Sequence, residues 1–261
     1  MRFNKYILFF YFLFSLILVG YVIGFKNLIP SEIDWIFTKT DLISYYLPWY
    51  FYGSDDWSFN IFKNYNYGLE ISEGLLFADS VQILNPILKL LKNIFNFNFQ
   101  YVSFWQVLCV TLQGFFSYKI IYYKTNNVKY SFLSSLFFIL LPFFLDRLFI
   151  HISLAAHWLI LWSIYLNIKY NINKSVLKWS LLIFLSIFIN INIALIIILY
   201  LYLYLAFLII FQKNSDLNKI LLLYLYFTFL FLFFLTLAGF FSLSFSNMPE
   251  FGFGVGFWDS S

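Results

Sequence analysis

Residues 6–25 read YILFFYFLFSLILVGYVIGF, twenty positions in a row without a charged side chain. A helix rises about 1.5 Å per residue, so a run of that length covers the roughly 30 Å hydrocarbon core of a bilayer. Arg2 and Lys5 stand just before it. A basic start and an apolar run also mark a secretory leader. This run is longer than the usual apolar region of a leader, and no clean small-x-small cleavage site follows it. The expectation is a retained first membrane span.

The rest of the chain extends the pattern. Of 261 residues, 62% are hydrophobic, 26% aromatic and only 11% charged, and the mean hydropathy is +0.82. A soluble domain carries about 25% charged residues. There is too little polar material here to cover a water-facing surface, and disorder needs the opposite balance. The expected class is all-α, a polytopic transmembrane helical protein, with residues 1–261 as a single membrane domain. Further spans are expected at Phe99–Tyr123, Ser131–Phe149, Leu154–Tyr170, Leu177–Ile189, Ile193–Phe211 and Ile220–Phe241, which makes seven with the first. Residues 26–98 form a large extracytoplasmic loop with interfacial helices. Within it, Leu75–Phe95 carries Asn85-Pro86 in the middle and Lys89 and Lys92 near the end. Proline interrupts the helical ladder, so this piece is expected to be interfacial or re-entrant. Residues 242–261 begin another outer loop. Cys109 is the one cysteine and sits in an apolar run, which excludes an intrachain disulfide and reads as a small buried hydrophobe.

The charges give the chain a direction. With the N-terminus in the cytoplasm, the inner side receives Arg2, Lys5, Lys119, Lys124, Lys129, Lys169, Lys174, Lys178, Lys213 and Lys219, with Asp216 the acid among them. The outer side receives Glu32, Asp34, Asp41, Asp55, Asp56, Glu70, Glu73, Asp79, Asp146, Glu250 and Asp259. Basic residues gather on the cytoplasmic side of membrane proteins. Counting Leu75–Phe95 as a full span would put Lys119, Lys124 and Lys129 outside, which favours the re-entrant reading. The expected location is the plasma (inner) membrane, multi-pass.

Ionisable groups at membrane depth are candidates for function. Asp41 lies among Tyr45, Tyr46, Trp49 and Tyr50, where partial desolvation would suit a general base. The plainer alternative is a solvated loop aspartate. Glu32 and Asp34 form an acid-x-acid pair, a weak signal for a divalent cation such as Mg or Mn. Asp55-Asp56 lies in a turn-like Gly-Ser-Asp-Asp-Trp stretch. A second set runs Asp146, Arg147, His151, Ser153 and His157-Trp158. Arg147 and His151, four apart, share a helix face. On a helix His157 would point about 240° away from His151, so the two would not meet on one metal. The set reads either as an interfacial ion-pair cluster or as a cationic site for an anionic head group, since Arg grips phosphate bidentately. Asn190 and Asn192 flank a tight outer turn. The glycine-rich stretch 249–256 lacks the Lys-Ser/Thr of a P-loop. The basic residues form no stripe, so no nucleic-acid partner is expected.

Several phrases are distinctive. They are Thr40-Asp41 through Trp49, Tyr67-Gly68-Leu69-Glu70-Ile71, Phe77-Ala78-Asp79-Ser80, Phe99-Gln100-Tyr101 running to Leu112-Gln113-Gly114, and Arg147 followed by His151 through His157-Trp158 to Leu161. Over about residues 36–170 the chain resembles an uncharacterised bacterial membrane family, domain of unknown function 6311, grouped with the GT-C superfamily of polytopic glycosyltransferases. The resemblance implies an enzyme taking a sugar from a polyprenyl-phosphate carrier on the outer membrane face, with an acidic residue of the first outer loop as base or metal ligand. Carried onto this chain, that base is Asp41. Thr40-Asp41-Leu42 stands where the family often has a Ser-Asp-Pro-like phrase. Asp79, Arg147, His151 and His157 also match, as substrate- or phosphate-binding candidates without assigned roles. Family members run longer, which implies that the chain ending at Ser261 is part of a longer protein.

Two expectations follow. The first is an inverting membrane glycosyltransferase in which Asp41 deprotonates the acceptor and Arg147 stabilises the departing phosphate, its partners being the bilayer and a polyprenyl-phosphate-linked sugar. The alternative is a transporter or a lipid- or anion-handling protein that uses the same polar cluster without bond chemistry. Transporters place charges near mid-membrane in broken helices and repeated halves. Here the charges sit at span ends.

Overall fold

The computed structural model describes residues 2–38, 40–57, 61, 62, 64, 80–95, 99–211 and 217–241. Among them the chain is helical throughout, with no strand. Eleven α-helices follow in order: α1 (Arg2–Ile23), α2 (Asp34–Phe37), α3 (Thr40–Ser54), α4 (Leu84–Phe95), α5 (Val102–Thr125), α6 (Val128–Ile139), α7 (Pro142–Ile150), α8 (Trp158–Lys169), α9 (Val176–Ile189), α10 (Ile191–Phe211) and α11 (Leu217–Leu237).

Three helical stretches are long and apolar enough to cross a membrane: Tyr6–Ile23, Ile191–Phe211 and Leu217–Leu237. Helices α6 and α7 make a fourth if the pair, bent by 51°, is one span. Their outward side chains fit that solvent, with Phe137 75% and Phe229 70% exposed. Large apolar groups left bare in such number would aggregate in water. The expected seven full-length spans are not matched by length and composition. Pro142 starts α7 and breaks the expected Ser131–Phe149 span. The expected Leu154–Tyr170 span is helical only from Trp158, because residues 151–157 form turns. Helix α9 has 14 residues, about 21 Å at the helical rise.

Helix α5 is the hub. It is long, at 24 residues, but lined with buried Ser103, Gln106, Thr111, Gln113 and Ser117. Small and hydroxylic residues let membrane helices approach closely and bond across the gap. Ser15 of α1 meets Thr111 at 2.8 Å, and the Tyr11 phenol bonds the Ser135 hydroxyl of α6. At Gly114 a Cβ would stand 2.5 Å from the Tyr11 ring and 2.8 Å from Ile139, so glycine sets this crossing. Asn126 closes α5 in the left-handed conformation (φ 50°), which asparagine tolerates. Asn127 then caps α6 by accepting from the Tyr130 amide at 3.1 Å.

Between α1 and α5 lie the short helices α2, α3 and α4. Gly24 (φ 93°) ends α1, and Asn27 donates its amide to the Ile23 carbonyl. Helix α3 buries Tyr45, Tyr46, Trp49 and Tyr52. Trp49 donates to the Phe99 carbonyl at 3.0 Å and Tyr101 to the Tyr45 carbonyl at 3.3 Å. These bonds clamp the aromatic loop to the head of α5. Helix α4 is strongly two-faced and short; residues 75–79 of the Leu75–Phe95 piece lie outside the described residues.

Candidate functional site

The site is built on the connector 151–157, and α5 and the turn between α9 and α10 hold it and the end of α7 before it. Trp105 of α5 donates its indole N–H to the Ile152 carbonyl at 2.7 Å. Gln106, next along, donates to the Leu148 carbonyl at 3.0 Å. From the turn between α9 and α10, Asn190 donates its side-chain amide to the Ser153 hydroxyl at 3.0 Å. The Asn190 side-chain oxygen Oδ1 meanwhile accepts from the Asn192 amide at 2.9 Å, capping α10. Ile152, Ser153, Ala155 and Ala156 are buried. A non-helical stretch inside an apolar bundle needs such partners, because unpaired backbone groups there are costly.

The pinned connector sends its two histidines to different places. His151 Nδ1 lies 3.1 Å from the Tyr45 hydroxyl of α3. His157 stacks flat on Phe143, with ring centres 5.3 Å apart and planes 2° apart, and tilts against Phe144. The helical phase expected to set the two histidines apart does not apply, because residues 152–157 form turns.

Arg147 and His157 line one cavity of about 350 Å³. Its other walls are Phe143 and Leu154, Ile160 of α8, and Asn192, Ile193 and Ile196 of α10. The Arg147 guanidinium lies 5.4 Å from the Phe143 ring centre, one turn back on α7. Its contact with Asp146 is 4.0 Å, with both side chains partly exposed, which is worth little. The cavity thus sets the Arg147 cation beside an imidazole that can donate a hydrogen bond.

Asp41 stands one turn before Tyr45 on α3, and it is exposed. The desolvated setting expected from its aromatic neighbours is absent, because Tyr45, Tyr46 and Trp49 turn inward while Asp41 ends the stripe at the surface. Glu32 pairs with Lys26 at 3.1 Å, and Asp34, exposed, opens α2. Among the described residues no group of three His, Cys, Asp or Glu could hold a metal ion. Asp79 and the stretch 249–256 lie outside the described residues.

Sequence reading passed over Tyr45 as a partner, Asn192 as a wall and Lys89. Asp55-Asp56 is more than a turn. Lys89 of α4, 2% exposed, donates to the Asp56 carbonyl at 3.1 Å and sits over Tyr52 and Trp57 at 4.5 and 4.9 Å. Burial lowers its pKa, and the charges of Asp55 and Asp56 act against that. The available signal was a lysine at the apolar phase of an amphipathic helix, which needs a partner. The Trp105-Gln106 pair inside an apolar run was the signal for the connector's anchor.

The sequence profile described as Domain of unknown function (DUF6311) matches residues 12–257. No curated protein and no solved structure matches the chain.

Proposed function

We propose, for a chain that belongs to the DUF6311 family, a membrane glycosyltransferase of GT-C type that inverts the sugar it takes from a polyprenyl-phosphate carrier. Its acceptor would be extracytoplasmic. In this reading the N-terminus is cytoplasmic and the chain makes seven crossings of the inner membrane. The bent α6–α7 pair is one of them, and the short α8 and α9 are completed by their flanking turns. The observation that carries the reading is the Tyr45–His151 contact, 3.1 Å long. It joins the helix of Asp41 to the connector that bears His157 and follows Arg147.

The chemistry divides among these groups. The acceptor O–H gives its proton to the Asp41 carboxylate as its oxygen bonds the anomeric carbon. The bond from that carbon to the carrier phosphate breaks on the opposite face, and the phosphate leaves with the electron pair. Arg147 meets the charge that develops on the phosphate, and His157 donates to one of its oxygens. The exposed position of Asp41 fits a base that meets an acceptor arriving from water. The apolar cavity walls fit a carrier that arrives from lipid.

The test is transfer from a synthetic polyprenyl-phosphate sugar by the full chain in vesicles. Asp41→Asn should abolish turnover while leaving donor binding, and Arg147→Gln should weaken both. Unchanged turnover in Asp41→Asn would remove Asp41 from the mechanism.

A second reading draws on the same cavity, where one cation faces mostly apolar walls and Asp41 stays solvated. That combination would equally suit an anionic-lipid handler without bond chemistry. Glycan analysis of a deletion strain separates the two. Loss of one sugar from a surface polymer favours transfer, and accumulation of a complete lipid-linked precursor favours handling.

A further inference from the structure

At the other end of the bundle, three lysines from three helices meet on two tyrosines. Lys119 of α5 lies over Phe115 at 4.2 Å and over Tyr165 at 5.4 Å. Lys169, in the last turn of α8, donates to the Tyr165 hydroxyl at 2.7 Å and lies 5.3 Å from the Tyr170 ring centre. Lys178, in the first turn of α9, stands over the same ring at 3.4 Å. The two rings meet edge to face at 6.4 Å.

The three ammonium groups are close enough that Lys119 feels the charges of both others. Lys178 and Lys169 both act on the Tyr170 phenol. Among the described residues no carboxylate pairs with any of the three lysines. Cation–π contacts soften like-charge repulsion without neutralising it. Topogenic lysines need only be on the correct side of a membrane. They have no reason to converge, and Lys119 joins Lys169 and Lys178 from a helix fifty residues earlier than Lys169 in sequence.

The flank of the cluster is apolar and bare. Leu177 is 83% and Leu181 47% exposed on α9, on the same helix as Lys178. A ligand with acyl chains would cover them, and a free ion would not.

We propose that Lys119, Lys169 and Lys178, gathered on Tyr165 and Tyr170, bind the phosphate head group of an anionic membrane lipid whose chains lie along Leu177 and Leu181. Basic pockets between helices recognise lipid phosphates in this way. The site is separate from the Arg147–His157 cavity, and its occupancy does not depend on the function assigned there.

The test uses the full chain in phosphatidylcholine nanodiscs with and without phosphatidylglycerol. Retained lipid is counted by native mass spectrometry and the thermal midpoint is followed. Phosphatidylglycerol should raise the midpoint of the wild type and stay bound through detergent exchange. The triple variant K119Q/K169Q/K178Q should lose both effects. The variant K124Q/K129Q/K174Q removes equal charge from the same end outside the cluster and should keep them. If the first triple does not fold, K119Q and K178Q singly should each weaken retention about fivefold. Equal loss in the two triples would reduce the cluster to general surface attraction and overturn the proposal. So would no loss in either, or no loss in the single variants. Inorganic phosphate matching the effect of the lipid would overturn the acyl-chain part.

Discussion

Trp105→Phe is the sharpest probe of how the connector is held. The indole N–H is 2.7 Å from the Ile152 carbonyl. Trp105 is 1% exposed and Ile152 0%, so water cannot replace the lost donor. The Ile152 carbonyl keeps only a long bond from the Ala155 amide at 3.3 Å, so the lost indole bond and the packing lost with the smaller ring together cost about 1–3 kcal/mol. The neighbouring change Gln106→Leu should behave differently. It also removes a bond, to the Leu148 carbonyl at 3.0 Å. However, it deletes the Gln106 Oε1, which is buried without a partner. The gain and the loss nearly cancel, so less than about 1 kcal/mol is expected. Hydrogen exchange by mass spectrometry over residues 148–157 reads the difference. The Ala155 amide, bonded to the His151 carbonyl at 3.2 Å, is the reporter. Local opening made easier by about 1–3 kcal/mol speeds its exchange about 5- to 150-fold. Unchanged exchange in Trp105→Phe, or faster exchange in Gln106→Leu than in Trp105→Phe, would refute the account.

Other substitutions test the bundle and the cavity. Gly114→Ala forces a methyl against Tyr11 and Ile139 and should destabilise by about 1–3 kcal/mol; adding Ile139→Val removes the Cδ1 contact and should recover part of that in thermal melts. At the Tyr11–Ser135 bond the two halves are unequal. Tyr11→Phe leaves the Ser135 hydroxyl bonded to the Phe132 carbonyl at 2.6 Å and should cost under about 1 kcal/mol, whereas Ser135→Ala strands a buried phenol and should cost about 1–3 kcal/mol. His157→Leu keeps bulk against Phe143 but loses the stacked ring, and should cost about 0.5–1.5 kcal/mol in thermal melts.

Length and apolarity identified α1, α10 and α11 before any coordinates, because transfer into lipid is close to a sum over residues. The two-faced α4 and the Asn190 turn were legible for the same local reason. Arg147 and His157 could be named as a set from their contrast with the apolar run around them. Their shared cavity could not, since Asn192 and Ile196 come from α10, tens of residues away. Asp41 shows the limit from the other side, for its aromatic neighbours in sequence turned inward and left it in solvent.

What the sequence alone determined was the class of protein and the apolar runs. Each is set residue by residue by the cost of removing a group from water. Only the tertiary structure decided where the Ser131–Phe149 run breaks and that residues 151–157 leave the helix, held by Trp105 and Asn190. It also decided that Tyr45 reaches His151 and that Lys119, Lys169 and Lys178 meet. Those outcomes depend on which buried donors find acceptors across the bundle, and such pairing is a property of packing between helices distant along the chain.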